Sequence, residues 1–468
     1  MAKKFKIVLL GFFLFYGCAN QLPPGGGEVD KVPPVIKETY PIEGTINYDE
    51  EYIELTFSEY VDKRTVQEAL FFSPSIGNNA EFSWSGTTVR VYFNTELKKN
   101  TTYTVSIGSD VKDLHNSNKM ESPFSLVFST GPKISKGKIN GLVFSNDTEN
   151  VFVFGYKIEN EIPEIDSVKP DYISQVGTNG KYSFAGLTEG KYLVISIIDK
   201  IRNQVFDKDE DLYNLSWKPV ELENDSIEIN NVDFILMKEK KVVKEIIDST
   251  KAAEKDTSPP SLKTLTTKYE VNKIDFDTPE FSLVFSEKVI TDSLNSFINI
   301  SDLKKNTYAY TIATIDSIKY DVSFTKAKPK TEFIVKVNLN PIQDLSGNKK
   351  DTTITKTISA MNDIDFVSIA GHIDIDEENN YPIKIKLTDT KSKNELNSAN
   401  VEANKFKLTK ILPGKYFLYS FIDKDSNSVY TNGELSPLVY SEKFILYSDT
   451  LKIKSRWSLE DLNIKFTK

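Results

Sequence analysis

Gly190-Lys191-Tyr192 and Gly414-Lys415-Tyr416 open two stretches that align without a gap as far as Glu210 and Glu434. Ser196/Ser420, Ile198/Ile422, Asp199-Lys200/Asp423-Lys424, Asn203/Asn427 and Val205/Val429 occupy the same places in both. A chain that repeats itself in this way folds as copies of a module, each with its own core, and not around one large core. The region ahead of each copy is shared as well. Pro33-Pro34 and Pro259-Pro260 precede alternating strands in which Ile53, Leu55 and Phe57, or Phe281, Leu283 and Phe285, lie on one face before Ser58-Glu59 or Ser286-Glu287. Tyr103, Val105 and Ile107 match Phe333, Val335 and Val337, and these strands run into Val111-Lys112-Asp113-Leu114 and Ile342-Gln343-Asp344-Leu345. Apolar residues at every second position mark half-buried strands. The chain is therefore expected to be all-β, with tandem β-sandwich modules in two repeated pairs. A length of 468 residues fits several such cores.

The first module of each pair resembles the bacterial Ig-like domains, in which a Phe-Ser-Glu strand and an Asp-Leu-x-Gly-Asn loop recur; the loop reads Asp344-Leu345-Ser346-Gly347-Asn348 in the second copy. In the second module, Gly180-Lys181-Tyr182-Ser183-Phe184 and Leu187 lead into Gly190-Lys191-Tyr192, a pattern similar to the carboxypeptidase regulatory-like (transthyretin-like) β-sandwich. In that fold these aromatics form a hairpin on the core, which leaves them no need of a functional role.

Lys3, Lys4 and Lys6 followed by the apolar run Ile7–Tyr16 read as a signal peptide, since the run is short of the roughly twenty residues that a membrane-spanning helix needs. The sole cysteine, Cys18, stands directly after Gly17 and is the expected site of lipidation. An ordinary secretory signal with an incidental cysteine is the alternative. A single cysteine excludes an internal disulfide and a thiolate metal cluster. Pro23-Pro24-Gly25-Gly26-Gly27 has the composition of a tether. With Asp30-Lys31-Val32-Pro33-Pro34 after it, this lead-in resembles the Ig-like-domain lipoproteins of Bacteroidota, which implies a lipid-anchored protein of the outer membrane. Either face of that membrane stays open, because Glu28 is the first acid after Cys18. These signs divide the chain into a signal peptide (1–17), lipidated cysteine and tether (18–32), Ig-like domain (33–132), transthyretin-like sandwich (133–238), charged linker with a possible short helix (239–258), second Ig-like domain (259–361) and second transthyretin-like sandwich (362–468).

Net charge is −9, an acidic balance that repels phosphate backbones and argues against nucleic-acid partners. The two histidines, His115 and His372, have no repeated counterpart, and neither a serine nucleophile motif nor a phosphate-cradling loop is visible. An enzyme is not expected, although a hydrolase built on paired carboxylates is one alternative.

The loop from Asp423 to Glu434 carries oxygen-bearing side chains at Asp423, Asp425, Asn427, Thr431 and Glu434, with the spacing of an EF-hand calcium loop. Ser428 holds the place of the sharp-turn glycine, and strands rather than helices flank it. In the first copy Ile201 replaces Asp425 and cannot ligate a hard cation, so no metal is expected there. The competing expectation is a turn whose Asp and Asn side chains bond their own backbone. Trp84 is a candidate aromatic contact for a glycan, with core packing as the alternative. The leading expectation is a scaffold that binds another outer-membrane protein, such as an assembly or secretion component; a surface glycan- or nutrient-binding lipoprotein is the second.

Overall fold

Along Tyr52–Phe57 every second side chain turns inward, so that Ile53, Leu55 and Phe57 are buried while the residues between them are half-buried. The same holds in the second copy for Phe281, Leu283 and Phe285 on Glu280–Phe285. The computed structural model describes residues 29–236 and 256–466, apart from 78–79, 146–147, 225–226, 270–271, 291–296, 317, 376–378, 391–394 and 448–449. Cys18, the expected signal peptide and most of the expected linker lie outside the described residues.

The fold is all-β, with tandem Ig-like sandwiches. Among the described residues the only helical turns are Lys63–Glu68, capped by the Asp62 side chain, and the short Asp363–Asp365. In the first Ig-like module, Ile36–Tyr40, Tyr52–Phe57, Thr88–Phe93 and Ala80–Ser85 form one antiparallel sheet in that order. Leu70–Ser73, Thr102–Ile107 and Phe124–Ser129 form the sheet facing it. Leu55, Val91, Val105, Leu126 and Phe128 fill the space between them. The second copy repeats this order with Leu262–Thr267, Glu280–Phe285, Lys319–Phe324 and Tyr310–Asp316, over a core that includes Leu283, Val322, Phe333 and Val335.

The other two modules also share a topology. Gly137–Ser145 pairs antiparallel with Lys181–Leu187 and parallel with Glu228–Ile229. Likewise Val367–Ile375 pairs antiparallel with Lys405–Ile411 and parallel with Leu459–Phe466. The opposing sheets are centred on Val151–Ile158 against Gly190–Ile198, and on Ile383–Asp389 against Gly414–Ile422.

These central strands depart from half-buried alternation: Val151–Tyr156 and Tyr192–Ile197 are buried at every position. The cause is a second contact. Phe152 meets the ring of Phe71 on the first Ig-like module edge to face, with centroids 5.8 Å apart. In the last module, Tyr419 and Phe421 are covered by Ile235 and Tyr430. A strand enclosed on both faces reads as a continuous apolar run.

Two compact units result. The first runs to Val143 and takes in Asp147–Asp211 and Val220–Asp233; the second comprises Phe144–Asn146, Leu212–Pro219 and Phe234–Lys468. Leu212–Pro219 and the residues from Phe234 thus group with the second unit, whereas the sequence suggested a boundary at 238. The reason is local and polar as well as apolar. The buried Asn214 amide donates to Ile235 O (2.9 Å), Tyr430 Oη (3.1 Å) and Asn432 Oδ1 (3.2 Å), and Leu215 N donates to Asn432 O.

Candidate functional sites

Among the described residues three acidic groups stand out, each a trio with one carboxylate oxygen per residue within 4.8 Å of the others: Asp30/Glu59/Asp113, Asp256/Glu287/Asp344 and Asp423/Asp425/Glu442. The first two are the same site in the two Ig-like modules. Each joins the aspartate three positions ahead of the double proline, the glutamate of Phe-Ser-Glu and the aspartate of the Asp-Leu loop. Asp113 accepts from the backbone N–H of Asn116 (2.7 Å), Ser117 (2.8 Å) and Asn118 (3.2 Å), and from Asn118 Nδ2 (2.7 Å). Burial opposes its ionisation, yet those donors outweigh burial and hold the carboxyl below its ordinary value. Asp344 is held in the same way by Ser346 N, Asn348 N and Asn348 Nδ2. Asn118 and Asn348 then donate to the backbone carbonyls of Asp30 and Asp256, which ties each lead-in to its module. Burial, followed by the charges of Asp113 and Asp30, pushes Glu59 above the usual carboxylate range; Glu287 is raised likewise by burial, Asp256 and Asp344. All three motifs are visible in the sequence in duplicate, and their co-occurrence in both copies was the signal that could have joined them into a site.

The third trio revises the expected calcium loop. Asp423 and Asp425 are together, but Glu442 supplies the third carboxylate. Glu434 begins a two-stranded hairpin with Leu438–Val439, and the chain returns from that hairpin to bring Glu442 to the loop. Spacing within a twelve-residue window could not reveal a carboxylate that lies beyond the window. Asp425 accepts from Asn427 N (3.1 Å), Asn427 Nδ2 (2.8 Å) and Thr431 Oγ1 (2.9 Å), while Asn427 Oδ1 accepts from Val429 N. Glu442 accepts from Lys424 N (2.6 Å) and Thr431 N (3.0 Å).

Trp84 does not stand open as a platform. It is half-buried at the edge of the first core, stacked on Phe57 at 6.3 Å with the Lys63 ammonium 5.5 Å from the ring centroid. The favourable location for a large aromatic beside an apolar core explains this placement. Trp457 is the exposed tryptophan, on the turn between Lys454 and Trp457 itself. Trp217 carries Lys218 and Lys443 ammonium groups 4.5 and 4.6 Å from its ring centroid.

Residues 30–130 match the bacterial Ig-like domain family. No curated protein matches the chain. Solved structures similar to it include an L,D-transpeptidase from Mycobacterium smegmatis, 13% identical over 28% of this chain and 57% of that one, with a TM-score of 0.17. Another is the major pilin subunit of Bacillus cereus, 11% identical over 70% of this chain and 99% of that one, TM-score 0.16. A third is the surface-layer protein SbsC, domains 1–6, 10% identical over 92% of this chain and 68% of that one, TM-score 0.16. The chain spans 57% and 55% of the two transpeptidase structures it is similar to.

Proposed function

We propose that this chain is a non-enzymatic protein of the cell envelope, held to the outer membrane through lipid on Cys18, whose β-modules bind and scaffold another outer-membrane protein. The observation that carries this reading is the built junction of the first pair. There Thr104 Oγ1 donates to Ala185 O (2.7 Å) and Ser109 Oγ donates to Val176 O (2.8 Å), both buried. Gln175 is almost fully buried; its amide donates to Asp110 Oδ2 and accepts from Asp110 N. Thr178 and Asn179 reach Glu121 O and Ser122 Oγ.

Such a junction serves a protein that holds binding surfaces at a set distance better than one that carries out chemistry. The ends of the Ig-like sheets, Ala80–Ser85 and Tyr310–Asp316, are edge strands of the kind that accept a partner strand. The match to the Ig-like family over 30–130 supports a binding role by analogy.

The test is affinity purification of the C-terminally tagged chain from detergent-solubilised envelopes, with Cys18→Ala as the unanchored control. One outer-membrane protein recovered in stoichiometric amount, and lost in the control, is the expected result. Recovery of bound glycan by the soluble form with no protein partner would replace this reading with ligand capture.

A further inference from the structure

The two copies of the Gly-Lys-Tyr module end their central strand in loops of the same backbone form. Arg202 and Gln204 have φ of 57° and 60° in the first, and Ser426 and Ser428 have φ of 59° and 66° in the second. In both, the aspartate that closes the strand is fully buried: Asp199 and Asp423. What those aspartates bond differs. Asp199 is satisfied at both oxygens, by Asn203 N at 3.3 Å and Gln204 N at 2.9 Å. Its buried neighbour Asp211 is satisfied by Lys200 N and Asp207 N. Asp423 accepts only from Ser428 N, at 3.1 Å through Oδ2, and its buried Oδ1 has no hydrogen-bond partner among the described residues.

An orphaned oxygen on a fully buried carboxylate is costly. Here the second copy also adds charge, since the place of exposed Ile201 is taken by Asp425, and Glu442 brings a third carboxylate within 4.8 Å. Among the described residues no lysine or arginine forms a salt bridge with any of the three, and the first copy assembles no such trio. Burial, then the charges of Asp425 and Asp423, raises the Glu442 carboxyl, although the Thr431 and Lys424 amides oppose the rise.

We infer that Asp423, Asp425 and Glu442 form a calcium site, in which the free Oδ1 of Asp423 is a ligand left unpaired by hydrogen bonding. Oxygens bound at about 2.4 Å to one ion lie at most about 4.8 Å apart, which the trio satisfies, and calcium accepts irregular sets of carboxylate, amide and hydroxyl oxygens. Thr431 Oγ1 is already bonded to Asp425 and stands beside the site. Magnesium demands near-ideal octahedral geometry and fits this asymmetric loop poorly. The ion would fix the loop that positions Tyr430 and Asn432 against Asn214, so that binding stiffens the second unit.

Hydrogen–deuterium exchange of the detergent-solubilised full chain, in calcium, magnesium or chelator, provides a local readout. The expected result is calcium-dependent protection of peptides covering 423–442 with no change over 199–211. Asp425→Asn should raise the calcium concentration for half-protection about ten- to hundredfold, and Glu434→Gln should leave it unchanged. Asp425 is exposed, so its variant is expected to fold; unchanged exchange elsewhere in the chain checks this. The inference is overturned if calcium leaves 423–442 unprotected, if Asp425→Asn responds as the parent does, or if magnesium protects equally at the same concentration.

Discussion

Lys410 holds a φ of 58° so that its ammonium reaches the nearly fully buried Asp275 and lies 3.5 Å from Asp277 Oδ2. Asp277 also pairs with Lys326 at 2.5 Å. Burial pushes the Asp275 carboxyl up, but Lys410, the Asp277 amide and the Thr278 hydroxyl together hold it below its ordinary value. A depressed carboxyl stabilises the fold above its unfolded value of about 3.9, and that contribution is lost as pH falls through the folded value. Lys410→Met should therefore destabilise the second unit by about 2 kcal/mol at neutral pH, below the ~3–5 of a fully enclosed pair because Lys410 is partly open to water. In urea titrations from pH 7 down to pH 3, the gap between parent and variant should narrow below about pH 4; a constant gap would show that the carboxylate charge is not what the lysine stabilises. None of this pairing was legible in the sequence. Asp275 and Lys410 are 135 positions apart and lie in modules recognised by separate motifs.

At the scale of elements, the alternating Ig-like strands Tyr52–Phe57, Thr88–Phe93 and Glu280–Phe285 were readable because each buries one face in a core and leaves the other partly open. The central strands of the remaining modules were less so, since whole-strand burial depends on what covers the outer face. Gly186 shows how closely that cover fits. Its φ is +71°, and a Cβ there would lie 2.5 Å from Thr104 Oγ1 and 2.9 Å from Val127 Cγ1. Gly186→Ala combines a left-handed backbone strain with overpacking at the junction and should cost about 2–4 kcal/mol. Chemical unfolding should show the loss in the first unit while the midpoint of the second stays put. The acidic loops illustrate the opposite limit: the Asp423–Asn427 spacing was visible, but Glu442 reaches the site by way of a hairpin that local spacing does not encode.

For the molecule as a whole, the sequence division at 238 and the compact units differ because Leu212–Pro219 and Phe234–Leu236 contribute to the second unit. A chain beginning at residue 239 lacks the Asn214 amide and Ile235, and leaves Tyr430, Tyr419 and Phe421 with less cover than in the full protein. It should melt at a lower temperature than one beginning at residue 212, in side-by-side differential scanning calorimetry. Equal melting temperatures would mean that these segments are passengers.

Asn214 meets Tyr430 from 216 positions away along the chain. Synthesis delivers the chain from its N-terminus, so Asn214 emerges long before its partner exists. The first unit has all of its segments in hand once Asp233 is out, but the second cannot close until nearly the last strand has followed. Synthesis from the N-terminus therefore sets an order on assembly: the segment carrying Asn214, Leu215 and Trp217 must wait, exposed, for the arrival of the loop that will bury it.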